Sequence, residues 1–384
     1  MVAENSKART KIAFVHPALR DYRLELFDKL NKKYDITFIF TEHLPGKHLE
    51  IPSEWNYKII RSNRIVKRNH DIIIHLKLIK ELLKRDYDII LTSIPSSIHS
   101  HIAFLLAKIT GKKYIIWVEE WHWDATAHPY PKKLLKRLLY SYSKFLLKNA
   151  DACIVQGSLT KEFCLNIGVN KEKIFVATPC AVNYSEIPNE DLRKILHLGN
   201  KKIILYCSRI IKLKGLEYLI KSFALLEENM NDVFLLIAGD GPFKKECEQL
   251  AKKLSIKNIL FTGYVDPRDV GDYYRACDVF VLPSIFLSGQ YEGWGLVINE
   301  AMAFGKPIVT TDAVGAAPDM VKDGINGYVV KNKNVDELYK ALYKILSNDV
   351  LKEKMGKNSR KIFEEKNDYE KMFEAFKNAI EYVK

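Results

Sequence analysis

Short apolar runs recur along the chain, separated by stretches in which apolar residues return every three or four positions. The clearest runs are DITFIF (35–40), DIILTS (88–93), YIIWVEE (114–120), ACIVQG (152–157), KIILYCS (202–208), VFLLIAG (233–239), NILFTG (258–263), DVFVLPS (278–284) and PIVTTD (307–312). Runs of strand length between amphipathic segments predict βαβ units, which build parallel sheets. Helices cover both faces of such sheets, so the strands read as continuous apolar runs rather than alternating ones. The runs are too many for one ordinary sheet. The alternation breaks near 180–200, in TPCAVNYSEIPNEDLRKILHLGNKK, where prolines, asparagines and charges interrupt it. Two α/β domains are therefore expected, 1–190 and 191–365. Residues 366–384 read as a helix with no strand to pair, able to pack back on the first domain.

Composition adds scale and compartment. With 384 residues, 47% hydrophobic and 28% charged, the chain suits two packed globular domains. No run approaches the ~18 apolar residues of a spanning helix, and the start, MVAENSKARTKIAFVHP, lacks an apolar stretch of signal-peptide length, so a cytoplasmic protein is expected. Six scattered cysteines without a C-x-x-C pair are expected as buried free thiols. The net charge of +13 favours anionic partners: phosphate esters, an acidic membrane surface or nucleic acid. KKLLKRLLYSYSKFLLK (132–148) sets Leu134, Leu135, Leu138, Leu139, Phe145 and Leu146 on one stripe and cations on the other. It reads as a solvated helix face over a core, or as contact with an anionic membrane. Aromatic residues are not interleaved with the cations and no reader module is visible, which argues against nucleic acid.

Ligands of open parallel sheets sit outside the carboxyl ends of the strands. In the second half those ends carry SRIIKLKG (208–215), GDGP (239–242), GYVDP (263–267), PSIFLSGQYEGWG (283–295) and TTDAVGAAP (310–318). Two such sheets facing each other would make a cleft. EGWGLVINEAMAFG (292–305) reads as a loop entering a helix, with Gly293 and Gly295 allowing close backbone approach. N–H groups at a helix start bind phosphate without a metal. Glu292 and Glu300 then suit a diphosphate with a sugar at each end, since a carboxylate accepts two hydroxyl hydrogen bonds side by side. The plain alternative makes Glu292 a cap and Glu300 a solvated helix residue. Arg209, Lys212 and Lys214 on the first loop could neutralise a departing diphosphate.

SRIIKLKG, LLIAGDGP, FTGYV, FVLPS, EGWGLVINEAMAFGKPIV and DGINGYVV, in that order, resemble the donor domain of family 4 glycosyltransferases, whose two facing Rossmann-like domains form the GT-B fold. The resemblance implies a retaining, metal-independent transfer from a nucleotide diphosphate sugar of UDP or GDP type, with no further cofactor. It implies that Arg209 and Lys214 meet the diphosphate, Glu292 the transferred sugar and Glu300 the ribose. The backbone of Gly293, Trp294, Gly295 and Leu296 would meet phosphate and that near Val265 the base, with Gly241 also on the donor side. Lys212 has no such counterpart. In the first half Glu119 stands where the family usually carries a histidine facing the donor sugar, with Glu120 and His122 beyond. HPALRDYRLELF (16–27) replaces the family's Gly-Gly loop. His16 and His122 are expected as structural or surface residues. Retention by front-face attack, in which the departing phosphate takes the acceptor proton, needs no strong protein base. A glycan or lipid-linked acceptor in cell-envelope or exported glycan assembly is the expected context.

Competing chemistries find less support. A metal-dependent transferase would carry Asp-x-Asp at a strand's carboxyl end, whereas DYD (86–88) precedes a strand. A nicotinamide enzyme would carry G-x-G-x-x-G, and GDGPFK places Lys244 at the third glycine. A nucleotide-sugar-binding protein that has lost transfer is the remaining alternative.

Overall fold

The structure is a computed structural model describing residues 9–41, 51–60, 63–67, 70–74, 76–84, 86–122, 133–186 and 191–384. These residues form two compact units: those up to Thr178 with Tyr369–Lys384, and Pro179–Asp368.

The strands of the first unit are β1 (Lys11–His16), β2 (Asp35–Phe40), β3 (Tyr57–Ile59), β4 (Asn63–Lys67), β5 (His70–Ile74), β6 (Ile89–Ser93), β7 (Lys113–Val118), β8 (Ala152–Val155) and β9 (Ile174–Val176). β4 and β5 make an antiparallel hairpin; the others form one parallel sheet in the order β3-β2-β1-β6-β7-β8-β9. Its helices are α1 (Leu24–Lys33), α2 (Leu76–Lys84), α3 (Ile98–Ile109), α4 (Lys133–Asn149) and α5 (Ser158–Ile167). Strand order reverses beside β1, between β2 on one side and β6 on the other. Connections there leave in opposite directions and open a crevice at the strands' carboxyl ends. Stacked rings of Phe27, Phe38 and Phe40 and the packed rings of Phe14 and Trp117 fill the core under that crevice.

The second unit has the sheet order β12-β11-β10-β13-β14-β15. Its strands are β10 (Lys202–Cys207), β11 (Val233–Ala238), β12 (Ile259–Gly263), β13 (Val279–Leu282), β14 (Ile308–Thr311) and β15 (Gly327–Val330). All pairings are parallel, and the reversal falls between β10 and β13. The central strands β13 and β14 are buried along their whole length, as their apolar runs require. Around them pack α6 (Leu192–Ile195), α7 (Leu216–Asn229), α8 (Lys244–Lys253), α9 (Val270–Ala276), α10 (Val297–Ala303), α11 (Ala317–Met320), α12 (Val335–Leu346) and α13 (Asp349–Lys366). The last helix, α14 (Tyr369–Val383), belongs to the first unit. There Phe376 meets Trp117 edge-on at 5.1 Å, and the Tyr369 hydroxyl donates to the Tyr22 carbonyl at 2.9 Å.

Three expectations shift. The division falls at Thr178/Pro179 rather than at 190. Side-chain amides hold the intervening segment to the second unit: Asn299 Nδ2 donates to the Pro179 carbonyl (3.2 Å), and Asn367 bonds both backbone groups of Ala181 (2.7 and 3.1 Å). β7 stops at Val118, so Glu119 and Glu120 stand past its end rather than within it. On α4, Leu146 is buried but Leu138 and Phe145 are more than half exposed, so the supposed core stripe is split. Lys132 and the side chains of Leu134 and Leu135 lie outside the described set. None of the six cysteines is in a disulfide among the described residues, and five are buried. Among the described residues no helix is long and apolar enough to cross a membrane.

Candidate active site

In the second unit the loops after β10 and β13 flank the sheet's reversal. The first is braced from below and from the side. The Tyr206 hydroxyl donates to the Arg209 carbonyl (2.9 Å), and Ile210 N–H donates to the Asp240 carbonyl (2.8 Å). A Cβ on Gly241 would lie 2.2 Å from the Ile210 carbonyl oxygen, so only glycine lets the loop after β11 rest there. The loop then tightens into a 3-10 turn, Lys212–Lys214, which buries Lys214 and leaves Lys212 exposed. Arg209 is exposed, and among the described residues its side chain has no partner.

Glu292 arrives from the loop after β13. Its N–H donates to the Ala313 carbonyl (3.1 Å) and its carbonyl accepts from Gly315 N–H (3.0 Å), fixing it as one rung of a parallel bridge with Val314. Lys214 Nζ donates to Glu292 Oε2, and the Ser284 hydroxyl donates to the same oxygen at 3.4 Å. The structure thus brings two of the candidate residues into direct contact and adds Ser284, a buried serine two residues past β13, in a loop singled out above but without a role of its own there.

Beyond Glu292 the backbone turns through Gly293, Trp294, Gly295 and Leu296 into α10. Among the described residues the N–H groups of these four have no hydrogen-bond acceptor. The Trp294 side chain is core, with its indole N–H donating to Asn299 Oδ1 (3.1 Å), so only its backbone is available to a ligand. Glu300 N–H donates to the Leu296 carbonyl (3.1 Å), placing that carboxylate one turn into the helix. Glu300 is partly covered and accepts from the Tyr274 hydroxyl at 2.7 Å. Burial pushes its pKa above the ordinary 4.5, with the Tyr274 hydrogen bond pulling the other way. Tyr274 has no place among the sequence expectations above. Val265 packs partly against the unit's core, next to the exposed Tyr264.

Glu119 is the one candidate in the first unit. It follows β7, where Arg23, from the 3-10 turn Asp21–Arg23, donates through Nη2 to Oε1. Gln156, just past β8, donates Nε2 to the same oxygen at 3.3 Å. The Arg23 guanidinium also lies over the Trp117 ring, 4.6 Å from its centroid. His16, at the end of β1, is buried beside this group rather than on the surface, with Nε2 3.9 Å from Glu119 Oε2. Burial first, and then the Arg23 charge, hold its pKa well below the ordinary 6.5. His122 is exposed, as expected of a surface residue. Arg23 belongs to HPALRDYRLELF, the stretch that replaces the family's Gly-Gly loop, but nothing in that stretch pairs it with Glu119; Gln156 was missed because a glutamine at a strand end carries no motif.

Two Rossmann-like units, with a lysine–glutamate pair beside a glycine-rich loop in the second, define a glycosyltransferase of the GT-B fold. The model for Glycosyltransferase Family 4 matches residues 22–183, and that for Glycosyl transferases group 1 matches residues 188–362. The chain belongs to family 4 of the glycosyltransferases and is a sugar-transferring enzyme. An uncharacterized glycosyltransferase of Methanocaldococcus jannaschii is 27% identical over 367 residues, 91% of each chain. The alpha-D-kanosaminyltransferase of Streptomyces kanamyceticus is 31% identical over 176 residues, 46% of this chain and 44% of the relative. Among solved structures, HepE of Anabaena, crystallised in complex with UDP, superposes with a TM-score of 0.76 at 18% identity, covering 97% of this chain and 100% of that one.

Proposed function

We propose that this enzyme moves a sugar from a nucleotide diphosphate sugar to a glycan or lipid-linked acceptor, with retention of configuration and without a metal. The observation that carries the reading is the cluster of four N–H groups, Gly293 to Leu296, without an acceptor among the described residues, beside the Lys214–Glu292 pair. Backbone donors and a buried ammonium are what a diphosphate requires as it takes on charge in leaving. HepE, of the same fold, has been solved with UDP and with UDP-glucose, which favours a uridine nucleotide over a guanosine one as the first to test.

In this reading the second unit holds the donor and the first the acceptor. Arg209 and Lys214 take the diphosphate, with the backbone of Trp294 and its neighbours and the Gly241 loop beside it. Glu292, released from Lys214, accepts hydroxyls of the transferred sugar. Glu300 accepts the ribose hydroxyls, and the backbone at Val265 meets the base. The bond from the sugar's anomeric carbon to the diphosphate oxygen breaks while the acceptor oxygen bonds to the same face. The acceptor's proton passes to the departing phosphate oxygen. Glu119 serves by contacting a sugar rather than by removing a proton. The protein's share is positioning and charge stabilisation. Envelope or exported glycan assembly on the cytoplasmic side, with peripheral contact to anionic lipid, is the proposed setting.

The test is a panel of UDP- and GDP-sugars incubated with the enzyme in EDTA. Nucleotide release is followed, and products with glycan and lipid acceptors are identified by mass spectrometry. One donor giving a product whose anomeric configuration matches its own supports the proposal. An inverted product, or release that needs added magnesium, contradicts it.

A further inference from the structure

We infer that Tyr274 is a positioning residue for the nucleotide: its buried hydroxyl aims the Glu300 carboxylate and so makes the second unit prefer a ribonucleoside diphosphate to its deoxy counterpart. The inference deepens the proposed donor binding and rests on the contact of Glu300 with the ribose.

Unlike Glu292, which Lys214 holds, Glu300 has no charged partner among the described residues. Its Oε2 accepts from the Tyr274 hydroxyl at 2.7 Å, and its Oε1 accepts from no described residue. A glutamate has three side-chain torsions, and a single well-placed donor selects among the directions they allow. A neutral donor does so without using up the charge. An ionised carboxylate has about four lone-pair sites, so after one goes to Tyr274 both oxygens can still accept from a vicinal diol. A lysine or arginine in the same place would pair with the charge that the diol needs.

The hydroxyl is itself fixed. Tyr274 lies on α9 and is fully buried, its ring 5.7 Å from that of Phe280 and stacked at 5.6 Å on that of Phe304. The end of α9 is tied down from outside the helix. Arg193 Nε donates to the Ala276 carbonyl (2.8 Å), and Lys306 Nζ to those of Arg275 (3.0 Å) and Cys277 (2.7 Å). The half-buried Cys207 thiol, at the end of β10, is hydrogen-bonded to the same hydroxyl. Because a carboxylate only accepts, Tyr274 donates to Glu300 and accepts from the thiol, which makes a chain from Cys207 through Tyr274 to Glu300. Burial keeps both the phenol and the thiol protonated, the thiol pushed up to about 12.

A carboxylate aimed in advance discriminates between sugars. Its rotamer freedom is already lost before the nucleotide arrives, so a ribose collects the full value of both hydrogen bonds. A deoxyribose leaves part of a charged group without its hydroxyl, which a site built for that hydroxyl rejects. A carboxylate free to wander gains less from the ribose and loses less from the deoxyribose.

Calorimetric titration of the full chain with UDP, 2′-deoxy-UDP and 3′-deoxy-UDP, and with the GDP series in parallel, tests this. In the parent the ribonucleotide should bind about 10-fold to 100-fold more tightly than either deoxy form. In Tyr274→Phe, which keeps the ring, the ribonucleotide should weaken about tenfold and the deoxy forms less than about twofold, so the preference narrows. Equal weakening of all three would make Tyr274 a residue of the fold only and overturn the inference. Cys207→Ala, which removes the hydroxyl's second partner, should narrow the preference in the same direction and stands in if Tyr274→Phe fails to fold. Glu300→Gln separates this inference from the reading beneath it. If Glu300→Gln narrows the preference while the folded variants at Tyr274 and Cys207 keep the parent's, this inference alone is sunk. A parent without a preference for the ribonucleotide, or a preference that Glu300→Gln leaves intact, overturns the ribose contact of Glu300 and this inference with it.

Discussion

Glu292 and Glu300 meet different neighbours, and that difference sets what each can do. Glu292 is locked to Lys214 and Ser284, so in the proposed role it would exchange one partner for another as a sugar enters; among the described residues Glu300 has a hydrogen bond only from the neutral Tyr274 hydroxyl. Glu300→Ala should therefore weaken UDP binding by about 1.5–3 kcal/mol, whereas Glu292→Ala should chiefly slow transfer. Calorimetry with the bare nucleotide and turnover with its sugar distinguish the two, and equal losses in nucleotide binding would contradict the split. The raised pKa of Glu300 gives a second check. A carboxylate accepts two ribose hydrogen bonds and the neutral acid fewer, so nucleotide affinity should decline as pH falls through a value above 4.5. The same titration on Glu300→Gln removes that component and leaves only the protonation of the phosphate. The two glutamates were legible in the sequence from their spacing around Gly-Trp-Gly. The Tyr274 hydroxyl and the pairing of Arg23 with Glu119 were not, because they come from register and packing rather than from local pattern.

Among the elements, the loop from Glu292 into α10 is held by shape. Gly295 has φ of 96°, and a Cβ there would meet Leu282 Cδ2 at 2.9 Å and Val314 Cγ1 at 3.1 Å. Gly295→Ala should destabilise the second unit by about 1–3 kcal/mol from backbone strain and overlap together, seen as a lower melting transition that UDP no longer raises fully. Unchanged melting and UDP response would show that the loop adapts. α4 carries a second prediction. Leu138 and Phe145 are exposed beside Lys144 and Lys148, a surface suited to an anionic bilayer interface. The protein should sediment with phosphatidylserine vesicles at low salt, be released as salt rises, and bind less when Lys144 and Lys148 are both changed to glutamine. Protein that stays in the supernatant at low salt would leave α4 a solvated face. The leucine spacing predicted a helix here correctly, but not which leucines are covered, because helical period does not fix how the helix is rotated against its sheet.

For the molecule as a whole, two parallel sheets were visible in the continuous apolar runs, since burial on both faces leaves no alternation to confuse with surface strands. The edges were harder. β1, β3, β9 and β15 are short or flanked by charge, and β4 with β5 is antiparallel, so none stood out as a clear run. The boundary at Pro179 rather than 190 depends on Asn299 and Asn367, residues distant in sequence that no local composition could point to. The proposed donor site would supply its own positive field, from Arg209, Lys214 and the N–H groups of Gly293 to Leu296, which have no acceptor among the described residues. Calorimetric titration of UDP and GDP into the full chain in EDTA tests this most directly. The account predicts that one of them binds without metal and that Lys214→Met weakens it about 10-fold to 100-fold. Binding that appears only with added magnesium, or that Lys214→Met leaves unchanged in a folded protein, would contradict it.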